Sequence, residues 1–301
     1  MFFSTPFCQF YSIFQSDDDS VGKLSNRYPS HNTYLLVLIL SSPTTDGHAR
    51  RRTIRETWLR LHDHGVLYRF VVGGRNLDSV VRDGLKEESN DILILDDLVD
   101  SYGNLTRKVL SMMAWTYENV EFQFVLKVDD DSFVRLDVLC RELTELEHPQ
   151  KRRLYWGFMD GRAPVQKNGK WAEKDWILCD RYLPHALGGG YILSRILVEY
   201  LAKNKDLLKI YKSEDVAVGA WLAGLDVYYR HDIRFDTEWE SRGCRNSYLI
   251  THKQSIESMK RKYKRLVETG RLCENEYTIM DPFEYNWTAL PSKCCRRSSS
   301  L

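Results

Sequence analysis

Phe122-Gln123-Phe124-Val125-Leu126-Lys127-Val128-Asp129-Asp130-Asp131-Ser132 decides how this chain folds. An apolar run rich in aromatic and branched residues ends abruptly in three carboxylates. That pattern predicts a buried strand stopping at a polar rim. In open α/β sheets, ligands gather beyond the carboxyl ends of strands. Extended residues alternate sides, so Asp129 and Asp131 point one way and Asp130 the other. Adjacent like charges are costly unless a cation or hydrogen bonds offset them. Oxygen-rich clusters of this kind suit hard divalent ions such as Mg²⁺ or Mn²⁺, which then hold a diphosphate. A solvated acidic loop has the same composition, but here only Lys127 interrupts the apolar residues directly before the triplet.

Upstream of this strand the chain alternates. Strands are predicted at residues 34–40, 66–72 and 92–95, and helices at about 50–61, 77–88 and 104–119. Ile54, Trp58 and Leu61 fall at helical spacing, as do Leu105, Val109, Met112, Met113 and Thr116. Ser132 is a candidate cap for a helix carrying Leu136, Leu139, Leu143 and Leu146. Alternation of this kind implies an α/β fold with a mainly parallel central sheet flanked by helices. The second half is less regular, with strands predicted at 154–158, 190–193, 225–229 and 248–251. Helices are predicted there at 194–203, 215–222 and 255–268. Residues 1–31 read as an unpacked stalk, 32–268 as the main domain, and 269–301 as a Cys-rich extension.

A formal net charge of +1 leaves no global field to favour nucleic acid or an anionic membrane. No stretch approaches the roughly 20 apolar residues of a membrane span. Residues 1–14 are apolar and aromatic but too short for a span, and they read as the remnant of an anchor. Of seven cysteines, four fall near the end: Cys244, Cys273, Cys294 and Cys295. No paired C-x₂-C spacing supports zinc, so a disulfide-bearing lumenal protein is expected. The vicinal Cys294-Cys295 is expected to find distant partners rather than bond to itself. Asn104-Leu105-Thr106 and Asn286-Trp287-Thr288 are N-glycosylation acceptors.

Several further groups could do chemistry. Ser213-Glu214-Asp215 precedes an apolar helix, where the helix dipole favours ionised carboxylates. Simple helix-end electrostatics explains that placement, and so does a general base. His252 ends an apolar strand and is either a core histidine or a nitrogen ligand, a mixed set that Mn²⁺ tolerates better than Mg²⁺. Gly188-Gly189-Gly190 permits a tight turn or close approach of a ligand, and lacks the spacing of a phosphate loop. Trp156, Trp171 and Trp176 are either core or sugar-stacking aromatics.

These pieces occur in a recognisable order. Arg51-x-x-Ile54-Arg55-x-Thr57-Trp58, Asp97-x-x-Asp100-x-Tyr102-x-Asn104-Leu105-Thr106-x-Lys108, Phe124-x-x-Lys127-x-Asp129-Asp130-Asp131, Gly188-x-Gly190-Tyr191 and Glu214-Asp215-Val216 resemble the Golgi β1,3-glycosyltransferase family. Leu154-Tyr155-Trp156-Gly157-Phe158, Arg234-Phe235-Asp236-Thr237-Glu238, Thr251-His252-Lys253-Gln254-Ser255 and the Cys294-Cys295 tail are similar to its branch acting on the glycosaminoglycan linkage region. The resemblance implies a GT-A fold and Mn²⁺ as cofactor. UDP-galactose would be the donor, and the acceptor a galactosyl-xylosyl-serine on a proteoglycan core protein. Asp131 and His252 would bind the metal. Asp129, Asp130, Arg51, Arg55 and Gly189 would contact the donor, and Trp156 and Glu214 the acceptor. Asp215 would be the base. The chain would sit in the Golgi lumen, as a type II membrane protein whose anchor is missing here. The alternatives are an N-acetylglucosaminyltransferase of the same family and a sugar-binding relative without catalysis. A calcium module is disfavoured because the triplet lacks the spaced ligands of an EF-hand.

Overall fold

The computed structural model describes residues 33–62 and 65–297. The expected stalk, and Cys8 with it, lies outside the described residues. The first half runs β1 (Thr33–Leu40), α1 (Thr45–Glu56), β2 (Val66–Gly73), α2 (Ser79–Glu88), β3 (Ile92–Leu95), α3 (Leu105–Asn119) and β4 (Phe122–Asp129). Next come β5 (Phe133–Val134), α4 (Leu136–Glu145), α5 (His148–Arg152), β6 (Leu154–Gly157), β7 (Met159–Asp160), β8 (His185–Ala186), β9 (Gly190–Ser194), α6 (Arg195–Lys203) and α7 (Glu214–Leu222). The chain then forms β10 (Tyr228–His231), β11 (Phe235–Asp236), β12 (Gly243–Cys244), β13 (Ile250–Thr251), α8 (Ile256–Thr269) and β14 (Tyr277–Thr278).

β1 reads as an unbroken apolar run because it lies near the middle of a sheet covered on both faces. That seven-stranded sheet has the order β10-β6-β9-β4-β1-β2-β3. β4, β1, β2 and β3 are mutually parallel, as are β10 and β6, while β9 runs antiparallel to both its neighbours. α3 packs against α6 and α7, and α1 against α8. The mixed α/β architecture with a mostly parallel sheet is therefore present as the alternation implied.

Register places the site. Leu40 pairs with Asp129, so β1 and β4 end side by side and Ser41 emerges next to Asp130. A small second sheet, β11-β13-β5, brings the segment after β13 onto the triplet. There the Gln254 amide donates to the Asp131 carbonyl at 2.7 Å.

Four local expectations need correcting. α1 begins at Thr45 rather than near residue 50, because the Thr44 hydroxyl caps it by accepting from the Gly47 amide. Trp58–Leu61 then continues as a separate 3₁₀ turn. Ser132 caps no helix: its hydroxyl donates to the Gly189 carbonyl, and β5 intervenes before α4. A two-residue strand leaves no periodicity to read, and the predicted strand at 248–251 likewise shrinks to β13. Finally, Cys294 bonds to Cys295 itself, both thiols being buried together, while Cys244 pairs with Cys273.

Candidate active site

β4 delivers the triplet and its alternation sorts it. Asp129, Asp131 and His252 offer one ligand atom each, all within 4.8 Å of one another. His252 is buried between the Glu238 carbonyl, 3.0 Å from Nδ1, and the two carboxylates. A donating Nδ1–H leaves the Nε2 lone pair for the other side. Nε2 stands 2.9 Å from Asp131 and 3.4 Å from Asp129, yet makes no hydrogen bond of proper geometry. A buried, unbonded imidazole nitrogen aimed between two carboxylates, its other nitrogen held by a carbonyl, fits a divalent ion.

Electrostatics fits as well. Burial alone would raise Asp129, but Lys127 and His252 hold it well below the usual carboxylate range. Asp131 is likewise lowered, His252 overcoming its burial. Burial would lower His252, but the two aspartates push it up to about 9. Asp130 points the other way. Burial, opposed by Arg50 and reinforced by its two neighbours, pushes it up to about 7, and Ser41 hydrogen-bonds it.

Gly188-Gly189-Gly190 is the hub between this cage and α7. The Gly188 amide donates to Asp215 Oδ2 at 3.1 Å, and the other oxygen of Asp215 accepts from the Val216 amide. A Cβ at Gly189 would stand 2.7 Å from the His252 ring, so only glycine lets the backbone pass. Asp215 lies on the α7 side of the hub and is not part of the Asp129–Asp131–His252 group.

Other predicted residues sit elsewhere. Trp156 is 0% exposed, with its indole donating to Asp232 and Arg230 over its ring. It is core, and the acceptor assignment is corrected. Glu214 is also buried, accepting from Lys127 at 2.5 Å and from the Tyr191 hydroxyl at 2.8 Å. Burial pushes its carboxyl up to about 7 while Lys127 pulls it down. It braces the site from behind rather than facing an acceptor.

Arg51 and Arg55 spend their donors on Glu88 and Asp91. Arg51 also reaches the Ser41 hydroxyl and the Ser42 carbonyl, so it shapes the loop beside Asp130. Lys108 supports that same loop, donating to Asp100 and to the Ser41 carbonyl. Asn104 is half-buried with its amide donating to Val99, whereas Asn286 is exposed, its Oδ1 accepting from the Thr288 hydroxyl.

Two residues have roles that the sequence alone does not assign. Arg50 is the cation whose charge acts on Asp130, and the basic run 50–52 was its only signal. Lys127, 0% exposed, bridges Asp129 and Glu214. Its signal was a lone charge inside an apolar strand.

A mostly parallel α/β sheet, with a carboxylate-and-imidazole group able to hold a divalent ion at its strand ends, is an enzyme-type α/β architecture with its candidate site where such folds bind ligands. More narrowly, the chain belongs to the galactosyltransferase family, whose model matches residues 49–233. Membership implies a nucleotide-sugar donor and a glycan acceptor. Mouse β-1,3-galactosyltransferase 6 is 48% identical over 91% of this chain and 86% of its own length. An Arabidopsis thaliana β-1,3-galactosyltransferase, GALT1, is 31% identical over 78% of this chain. A Xenopus laevis UDP-GalNAc:β-1,3-N-acetylgalactosaminyltransferase 2 is 30% identical over 64%. The chain spans about two fifths of the length of those last two, 38% and 39%. Among solved structures, the apo WbbM bifunctional glycosyltransferase aligns with a TM-score of 0.40 at 13% identity, covering 68% of this chain and 40% of its own.

Proposed function

We propose that the protein is an inverting, Mn²⁺-dependent β1,3-galactosyltransferase. It moves galactose from UDP-galactose to the 3-hydroxyl of a galactosyl-xylosyl-serine on proteoglycan core proteins, in the Golgi lumen. One observation carries the reading: the Asp129–Asp131–His252 cage and Asp215 flank a single glycine hub. The transferred galactose follows the similarity to the mouse β-1,3-galactosyltransferase, and the acceptor follows the linkage-region resemblance. The Cys244–Cys273 and Cys294–Cys295 bonds fit an oxidising lumen. Among the described residues no helix is long and apolar enough to cross a membrane.

Asp129, Asp131 and His252 would hold the ion, and Mn²⁺ suits their mixed oxygen and nitrogen donors. When bound, it supplies positive charge that offsets the charge growing on the departing diphosphate, so no protein acid is required. Lys127 keeps Asp129 ionised for that task. Asp215 takes the proton of the acceptor hydroxyl as its oxygen attacks the anomeric carbon. The Gly188 amide and the α7 N-terminus orient its carboxylate. An α-linked donor and a β-linked product require attack from the face opposite UDP, by analogy with inverting glycosidases. Base and cage then lie on opposite sides of the sugar.

The test incubates purified protein with UDP-galactose, a galactosyl-xyloside and Mn²⁺, with UDP-N-acetylgalactosamine and UDP-N-acetylglucosamine as rival donors. Galactose transfer that chelator abolishes is the expected result. Asp215→Asn lowers kcat by about 10²–10⁴-fold with little change in donor KM. Undiminished turnover in chelator would overturn the metal role, and near wild-type Asp215→Asn the base.

A further inference from the structure

Three segments distant in sequence meet beside Asp215. At the start of α3, the Thr106 hydroxyl donates to the Lys212 carbonyl at 3.4 Å. The Lys212 amide donates to the buried carboxylate of Glu173 at 2.5 Å. The turn at 102–106 and the loop at 166–176 are therefore both pinned to the residues leading into α7. Lys209 pins the loop again, donating to the Asp175 carbonyl at 2.5 Å. Trp176 closes the base of the loop, buried against Tyr182 and Tyr211 with its indole donating to Cys179.

The tip of that loop carries Lys170 and Trp171. Trp171 is 45% exposed and Tyr102, across from it, 39%. The Lys170 ammonium sits 4.1 Å from the Tyr102 ring and 5.7 Å from the Trp171 ring. Lys170 thus links the Tyr102 phenol ring and the Trp171 indole. Burial, and then the Asp215 carboxylate ahead of any other charge, hold that phenol above its ordinary value. The aromatic pair thus faces solvent within the field of the carboxylate that activates the acceptor. Trp156 and Trp176, in contrast, are packed into the core.

An exposed indole beside an exposed phenol, with one ammonium lying over both rings, matches a pyranose chemically. The apolar C–H face of the sugar covers the ring and its hydroxyls accept from the lysine. We propose that Trp171, beside Tyr102 and Lys170, is the platform on which a pyranose of the neutral glycan acceptor stacks while its hydroxyl meets Asp215. The proposal rests on the assignment of Asp215 to the acceptor side.

The experiment compares wild type, Trp171→Ala, Trp171→Phe and Tyr102→Phe, titrating the galactosyl-xyloside at saturating UDP-galactose. Trp171→Ala raises acceptor KM about tenfold or more while donor KM and chelator sensitivity stay within about twofold. Trp171→Phe keeps most of the affinity, and Tyr102→Phe, which keeps the ring beneath Lys170, stays near wild type. An unchanged acceptor KM in Trp171→Ala, or equal rises in donor and acceptor KM, overturns the platform. Saturation-transfer NMR of the disaccharide with protein, UDP and Mn²⁺ gives a readout without turnover. Contact to the sugar ring protons in wild type and its loss in Trp171→Ala supports the platform even if galactose proves to be the wrong donor. Equal contact in both proteins, or none in either, overturns it.

Discussion

A single methyl group at residue 189 tests the cage. Its Cβ would press on Cγ and Nδ1 of His252 at 2.7 Å and on the His252 Cβ at 2.9 Å. The imidazole cannot retreat without breaking its bond to the Glu238 carbonyl. Gly189→Ala therefore turns Nε2 away from Asp129 and Asp131. Overpacking of this kind costs about 1–3 kcal/mol of stability. The loss of imidazole orientation lowers metal affinity about 10–100-fold. Calorimetric titration of Mn²⁺ in the presence of UDP measures the second effect, and thermal melting the first. Unaltered Mn²⁺ affinity in a folded Gly189→Ala protein would show that His252 is not a ligand. The same geometry explains why the glycine tract was legible as a close approach but not as a hub. Sequence shows the missing side chain, and only the fold shows what fills its place.

Elements are tied together by buried charges. Glu88, at the end of α2, accepts from Arg51 and Arg55 of α1, and its side chain is 8% exposed. Against its burial, Arg51, His48 and Arg55 pull the Glu88 carboxyl down to about 2. A depressed carboxylate stabilises the fold fully above its unfolded pKa and loses that contribution as pH falls. The loss runs from about pH 4.5 down through 2. Glu88→Gln should cost about 3 kcal/mol at neutral pH, leaving Arg51 buried without its anion, and the gap in Tm from wild type should close in acid. A gap independent of pH would exclude the ion pair as its source.

Lys127 performs the analogous task between β4 and α7. Lys127→Met leaves Glu214 buried and unpaired, costing about 3–5 kcal/mol. Adding Glu214→Leu recovers much of the stability, since the orphaned charge is gone. It does not recover transfer, because Asp129 still lacks its cation. Restored activity in the double variant would limit Lys127 to a structural role. These ties also mark the boundary of sequence reading. The strand at 122–129 and the long helices were legible because their periodicity is strong and burial runs along whole faces. Trp156 and Glu214 were misplaced because, in a sheet covered on both sides, alternation assigns a face and says nothing of depth. Lys127 is the counterpart: a charge inside an apolar run announces a buried partner without naming it.

At the scale of the whole molecule, the C-terminal extension is part of the catalytic body. Phe283 and Tyr285 lie in the core, and Phe283 packs on Phe158 at 4.6 Å and stacks on His231 at 5.7 Å. Arg162 donates to the Cys295 carbonyl. Arg297 pairs with Glu238, whose carbonyl faces His252 Nδ1. Arg297 is thus two contacts from the cage, although the family match ends at residue 233. Cys244–Cys273 closes a separation of 29 residues and ties the extension to β12. In the chain-entropy account a loop of that size contributes about 3.5 kcal/mol. Reduction alone should therefore lower Tm and leave a folded, Mn²⁺-binding protein. Truncation after Gly270 removes more. It takes away that bond and two core aromatics worth roughly 2 kcal/mol each, and it leaves Glu238 without Arg297. Losses of that size approach the whole stability of a domain. The truncated chain should fail to give a cooperative melt, and Mn²⁺–UDP binding should vanish with it. A soluble truncated protein that melts cooperatively and binds Mn²⁺–UDP with full affinity would show that the cage stands without the extension.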